Sequence, residues 1–382
     1  MTTTVPPRRA WATLGVLALA AFAFVTTELL PIGLLTVMAP DLGRSRSEIG
    51  ALVSGYAVVV VLASVPLTRL TRSVPRRQLL SGTLVLFAAA NAVGAAAPSY
   101  AVLAGSRLAT ALAQALFWSV VSPAVSGLFP VAVRGRVVAL FSTGAALAPV
   151  LGVPLATWIG QQAGWRTAFG VVAGLALLTA AAAAALIPDY HPDDGGAARG
   201  TAPSRRHLTV LLAVTAIGIT GFLTLNTYVT PFLLDVSGFG TAALAPLLFV
   251  SGAAGVAGTV AVARTLDGHP IGSLLVPLGA GTLALLSLAQ LGARPAVAVL
   301  GLAVIGAAYA SFATAVQHRM LQVAPGSTDI ASAGVSTAFN VGIAAGSLVG
   351  GLMLPVWGAQ SLALTGAVLT LAALGLMAAT RR

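Results

Sequence analysis

The chain has 382 residues, of which 58% are hydrophobic and 8% charged; a soluble domain carries roughly 25% charged residues, so composition excludes a soluble globular protein. No cysteine is present, which excludes disulfides and thiolate metal sites. The formal net charge is +11 and every one of the 20 Lys+Arg residues is arginine; their distribution follows membrane topology rather than a nucleic-acid-binding face.

Twelve apolar stretches fill the chain, at 11–38, 48–70, 78–96, 101–127, 135–159, 166–187, 208–233, 240–264, 271–291, 295–320, 329–354 and 360–380. Each is close to the roughly 20 apolar residues that a helix needs to cross a hydrocarbon core. None shows the period-two alternation of a barrel strand, so helices are expected. Arg8 and Arg9 ahead of span 1 mimic a signal peptide, but the run from about Trp11 to Met38 is far longer than a signal core of roughly 7–15 residues and no small-residue cleavage site ends it. It reads as an uncleaved first span. Turn-rich breaks separate the spans, among them Ala39-Pro40-Asp41, Ala97-Pro98-Ser99 and Pro325-Gly326-Ser327.

Threading these spans puts 15 of the 20 arginines on one side: Arg8, Arg9, Arg69, Arg72, Arg76, Arg77, Arg134, Arg136, Arg199, Arg205, Arg206, Arg264, Arg319, Arg381 and Arg382. The other side holds Arg44, Arg46, Arg166 and Arg294. This asymmetry places both termini in the cytoplasm, with the chain in the inner membrane of a bacterium.

The long polar segment 188–207, with Asp189, His191, Asp193, Asp194, Arg199, Arg205 and Arg206, divides the chain into an N-terminal six-helix bundle (1–187) and a C-terminal one (208–382). Its Gly, Pro, Ser and charge content predicts a flexible cytoplasmic linker. The halves read as repeats. Gly144, Ala148 and Gly152 match Gly342, Gly346 and Gly350 at an offset of 198, and Ser54-Gly55 match Ser251-Gly252 at 197. Two pseudo-symmetric six-helix halves with a site near mid-membrane form a standard transporter plan. The expected fold is an all-α membrane protein of twelve transmembrane helices.

Two formal charges lie deep inside spans: Glu28 in span 1 and Arg107 in span 4. A charge at that depth costs at least about 2.5–3.5 kcal/mol, so such residues are kept for more than packing. Counted at 1.5 Å per residue, Glu28 lies about 15 Å and Arg107 about 10 Å from the outer surface. A pair is therefore geometrically possible if the two helices are neighbours. Burial favours the neutral acid and a nearby guanidinium the ionised one, so the pair could load and release a proton; a fixed ion pair joining two helices is the alternative. Arg107, Thr110, Gln114 and Trp118 share one face of span 4, a polar stripe suited to a bundle interior or wet cavity, and equally to interhelical hydrogen bonding. Pro31, one turn after Glu28, is expected to kink span 1.

Span 5 carries Gly144, Ala148, Pro149, Gly152 and Pro154, a small-residue face with bends that allows close helix approach. The loop after span 2 runs from Pro66 to Arg77, and Leu70, Arg72, Arg76 and Arg77 read as a topology anchor on anionic lipid. The four histidines, His191, His207, His269 and His318, fall in loops or near helix ends without metal-ligand spacing, and no phosphate-binding loop is present. No enzyme, cofactor or metal site is expected.

Together these strings resemble the major facilitator superfamily, in its bacterial drug:proton antiporter branch, nearest the sugar efflux transporters. The resemblance rests on Thr26-Thr27-Glu28-Leu29-Leu30-Pro31-Ile32-Gly33-Leu34-Leu35; on Arg107; on Gly144 through Val153 against G-x-x-x-G-P-x-x-G-G, with Ala148 and Val153 replacing glycines; on Gly164-Trp165-Arg166 with Phe169; and on Phe339-Asn340-Val341-Gly342-Ile343 with Gly346, Gly350 and Gly351. The family's loop motif G-x-L-x-D-R-x-G-R-R is matched by Leu70, Arg76 and Arg77 only. Arg72 stands where the Asp belongs, Ser73 where the first Arg belongs, and Thr68 and Pro75 where the glycines belong. Gln114 stands where a His is expected in the nearest sugar exporters.

The resemblance implies proton-coupled efflux of a small neutral solute, a sugar or drug, by alternating access. Glu28 would bind the proton and Arg107 tune it, with about one proton per cycle. Tyr56, Gln114, Trp118, Asn226, Tyr228, Tyr309 and Asn340 are the candidate cavity groups. The partners expected are a small-molecule substrate, protons and the lipid bilayer, with no nucleic acid and the chain acting as a monomer. The alternative is a passive facilitator in which Glu28 and Arg107 are purely structural.

Overall fold

A computed structural model describes residues 7–380; Arg381 and Arg382, and the side chains of Arg46 and Ser54, lie outside the described residues. Span 1 becomes α1 (Pro7–Gly33), which breaks at Leu34 and resumes as α2 (Leu35–Asp41). The break falls three residues beyond Pro31, where the expected kink begins. Spans 2 to 4 are α3 (Arg46–Leu70), α4 (Arg76–Ala95) and α5 (Tyr100–Ser126). The Ser45 hydroxyl accepts from the Glu48 amide while the Glu48 carboxylate accepts from the Ser45 amide, a reciprocal cap that fixes the start of α3.

Span 5 is α6 (Arg134–Leu147), a π-helical turn (Ala148–Gly152) and α7 (Val153–Ala163). Pro149 and Pro154 each lack the amide that the α-ladder would use, and the chain widens between them. Gly164, at φ 86°, supplies the left-handed residue that turns the chain into α8 (Trp165–Leu186).

The second half holds α9 (Arg205–Asn226), the short α10 (Val229–Pro231), α11 (Leu244–Val262), α12 (Gly272–Leu291), α13 (Pro295–Val323) and α14 (Thr328–Ala379). Eleven described helices are long and apolar enough to cross a membrane. The last has 52 residues and a non-helical Gly358 inside it. At 1.5 Å per residue it is far longer than a hydrocarbon core of about 30 Å. It therefore supplies two spans, 328–357 and 359–379, which restores the twelve expected from sequence. Large apolar side chains stand outward on these helices, Leu178 and Val276 each 70% exposed, as surfaces facing hydrocarbon require.

The chain divides into two compact units, Met1–Gly200 with Gly326–Thr337, and Thr201–Pro325 with Ala338–Arg382. In the first, Phe24 of α1, Phe87 of α4 and Phe117 of α5 stack with centroids 3.8 and 4.5 Å apart. Helix α1 lies directly on span 5: a Cβ at Gly144 would fall on the Ala18 carbonyl oxygen, and one at Gly152 on the Thr26 hydroxyl. In the second unit, a Cβ at Gly342 would come 2.8 Å from the Ala216 carbonyl oxygen, and one at Gly350 2.8 Å from that of Thr224. Ala18 and Ala216, like Thr26 and Thr224, are themselves 198 apart. The two halves thus repeat a packing register as well as a glycine pattern.

The polar segment between the halves differs from expectation. It is pinned rather than free. Arg134 donates to the Gly196 carbonyl at 2.6 Å, the Arg76 amide to the Tyr190 carbonyl at 2.9 Å, and the Thr328 hydroxyl to the Ala197 carbonyl at 2.6 Å. Within the second unit the Ala202 and Ser204 amides donate to the Gln322 and Val323 carbonyls. Its glycines serve close approach: a Cβ at Gly196 would meet the Gly127 carbonyl oxygen at 2.6 Å.

Candidate functional site

Three helices of the first unit bring four sequence-predicted groups together. Glu28 projects from α1, Tyr56 from α3, and Arg107 and Gln114 from α5. Gln114 is two turns of helix beyond Arg107, hence on the same face. Its carboxamide Nε2 donates to Glu28 Oε2 at 2.9 Å, and its Oε1 accepts from the Tyr56 hydroxyl at 2.6 Å. The Arg107 guanidinium lies 4.5 Å over the Tyr56 ring centroid, a cation–π contact. Its Nη2 donates at 3.3 Å to the backbone carbonyl of Glu28. Glu28 is half-buried, whereas Tyr56, Arg107 and Gln114 are 1–2% exposed.

The expected Glu28–Arg107 pair is therefore corrected in one respect. The residues are neighbours, but no carboxylate–guanidinium contact within 4 Å joins them among the described residues. The acid is held by a neutral amide, and the cation by an aromatic face and a peptide carbonyl. Arg107 Nε and Nη1 have no hydrogen-bond partner. Beside this cluster the Thr27 hydroxyl donates to Asn91 Oδ1 at 3.5 Å, and Asn91 Nδ2 to the Phe87 carbonyl.

The other expected groups have different surroundings. Thr110 returns its hydroxyl to the Ser106 carbonyl of its own helix. Trp118 packs edge-on against Phe117 and Phe141, and its carbonyl accepts from Ser332. The Tyr228 hydroxyl donates to the Ser347 carbonyl at 2.8 Å, and its ring covers Gly350 and Gly351. Tyr309 meets Phe222 edge-on, Asn340 is buried on α14, and Asn226 is exposed at the end of α9. Asn226 is 198 residues after Glu28, its counterpart in the repeat.

Of the loop arginines, Arg72 and Arg77 are exposed and Leu70 is 77% exposed, as a lipid-anchoring loop would leave them. Arg76 departs from that reading: it is 2% exposed and its Nη2 lies 2.6 Å from Asp329 Oδ1 at the start of α14. Two further clusters escaped the sequence reading. At the other end of α1 and α2, Asp41 Oδ2 accepts from Trp165 Nε1 at 2.9 Å and from Arg166 Nη1 at 2.6 Å, and these bonds hold its carboxyl below the usual range. In the second unit, His318 Nε2 lies 3.3 Å from Asp267 Oδ1. A signal existed for the first, the Gly164-Trp165-Arg166 string. None existed for Asp329, an ordinary first-turn acid.

A polytopic helical chain repeated in its two halves follows a standard transporter plan. The family model described as the Major Facilitator Superfamily matches residues 16–333, and the chain belongs to that family. Its fold is similar to that of the human organic anion transporter MFSD10 (TETRAN), with a TM-score of 0.80 and 20% identity over 97% of this chain and 100% of that one. It is similar also to the proton:xylose symporter XylE bound to 6-bromo-6-deoxy-D-glucose, with a TM-score of 0.77 and 15% identity over 97% and 95%. The chain is a multi-pass transporter of solutes rather than an enzyme.

Proposed function

We propose that the chain exports a small solute, a sugar or drug, by alternating access coupled to proton entry, with Glu28 as the proton carrier. The carrying observation is the half-buried Glu28 carboxylate, held by Gln114 at 2.9 Å with Arg107 against its own backbone. An ionisable group inside a membrane bundle that faces polar partners marks a proton or substrate path. Its partial exposure gives water a route to the acid, and the nearby cation keeps the ionised form accessible. Each charge moved is worth roughly 2.3 kcal/mol per 100 mV, enough to drive a neutral solute outward against its gradient. With one acid and one guanidinium the cluster is close to neutral overall, which suits neutral solutes better than dications. The altered span-5 motif, with Ala148 and Val153 for glycines, keeps the close packing on α1 that an antiporter seal needs.

The test is uptake into inverted vesicles after a pH jump, with xylose and chloramphenicol as probes and benzoate as the anionic comparison. Proton-driven accumulation of a neutral probe by the wild type, lost in Glu28→Gln while counterflow persists, is the expected result. Undiminished proton-driven flux in Glu28→Gln, or flux indifferent to an uncoupler, would remove the mechanism and leave a passive facilitator.

A further inference from the structure

The cluster holds a cation and an acid in neighbouring helices, yet keeps them apart. A guanidinium this buried ordinarily pairs with a carboxylate. Here Arg107 is 1% exposed, its Nη2 is already bonded to the Glu28 carbonyl at 3.3 Å, and its Nε and Nη1 are unpartnered. The Glu28 carboxylate belongs to the same residue as that carbonyl, so acid and open donors are near neighbours across α1 and α5. What occupies the carboxylate instead is Gln114. The amide is clamped at both ends, since Nε2 is spent on Glu28 and Oε1 on Tyr56. The Tyr56 ring in turn faces the guanidinium.

We infer that Gln114 is a positioning residue: its carboxamide, braced on Tyr56, is the spacer that holds the Glu28 carboxylate off the Arg107 guanidinium. The inference rests on Glu28 being the proton carrier. A carboxylate in direct contact with guanidinium, in apolar surroundings, would stay ionised and stop carrying protons. A carboxylate with no cation nearby would stay protonated. The amide sets an intermediate separation, and because a neutral group does so, the cluster gains no further charge.

Other charges do not offer an alternative. Among the helices packed on α1, Arg107 of α5 and Tyr56 of α3 are the titratable groups in the cluster. Arg134 and Arg136 begin α6, Arg166 begins α8, Tyr100 begins α5, Arg46 and Glu48 lie in the first turn of α3 with Arg69 at its far end, and Asp41 ends α2. On α1 itself, Arg8 and Arg9 sit at the start.

Infrared titration of the purified full chain tests this without a substrate. The Glu28 carboxyl band is identified by difference from Glu28→Gln, and its midpoint is followed against pH. In Gln114→Met, of similar length but with no amide, the carboxylate closes on Arg107 and the midpoint falls by at least one pH unit, a tenfold loss of proton affinity. Adding Arg107→Met reverses that fall. Gln114→Asn, which keeps an amide, recovers part of it. An unchanged midpoint in Gln114→Met, or a rise, overturns the spacer and leaves the proton carrier standing. Absence of any titrating Glu28 band in the wild type overturns both.

Discussion

Breaking the buried Arg76–Asp329 pair by Asp329→Asn should strongly destabilise the first unit. The two groups are 2.6 Å apart and their side chains are 2% and 6% exposed. The bond ties the start of α4 to the start of α14 across a sequence separation of 253. Removing one partner of a buried pair leaves the other charge without compensation, which costs about 3–5 kcal/mol. Replacing both by apolar groups of similar volume removes the desolvation cost together with the attraction, and is close to neutral. In a cooperative unit of about 200 residues, 3–5 kcal/mol lowers the unfolding midpoint by on the order of 10 °C. The assay is thermal unfolding of detergent-solubilised protein followed by tryptophan fluorescence, comparing wild type, Asp329→Asn and the Arg76→Met/Asp329→Leu double variant. The single variant should melt on the order of 10 °C lower, and the double variant should recover most of the loss. A single variant that melts within about 2 °C of wild type, or a double variant that melts as low as the single, would refute the reasoning.

Gly144→Val and its repeat counterpart Gly342→Val should each lower the melting temperature by several degrees, since the added Cβ meets the Ala18 carbonyl in one case and Ile219 at 2.7 Å in the other, and overpacking costs about 1–3 kcal/mol. Gly15→Ala, where nothing lies within 4 Å, should melt as wild type does; equal losses at Gly15 and Gly144 would sink the contact argument. The Asp41 carboxyl, held below its ordinary value first by the Trp165 indole and then by Arg166, should stabilise the fold above the unfolded value of about 3.9 and lose that contribution as pH falls through the lower folded value. Melting of Asp41→Asn and wild type from pH 7 to pH 3 should therefore converge on acidification, and a gap that widens instead would contradict the assignment.

The fold was legible because a membrane leaves few choices. Backbone groups in hydrocarbon must be satisfied within the segment, so twelve apolar runs meant twelve helices before any packing was known. In α14 one helix fuses two spans around the non-helical Gly358, and its length shows that it holds both. The repeat was legible for a related reason. Small residues are kept where backbones touch, and Gly144 with Gly342 proved to touch equivalent residues, Ala18 and Ala216. The linker was misread because composition reports solubility and not hydrogen bonds. Its glycines, serines and charges suit a free chain, yet Arg134 and Thr328 take up its carbonyls one after another.

In the site, the charges were legible and their partners were not. Glu28 and Arg107 stood out because each is costly where it sits, and helical rise placed them at neighbouring depths. Rise and periodicity say which face a residue occupies, not which of two nearby acceptors a guanidinium chooses. That choice depends on Tyr56, contributed by a third helix, and on an amide whose two ends are indistinguishable in a sequence. The same reasoning explains Asp329. The family's loop motif has an acid where this chain has Arg72. The structure places a buried acid on the opposite side of the contact, at the start of α14, against Arg76 of the same loop region. A motif records which residues sit near one another along the chain; a buried charge needs only an opposite charge near it in space.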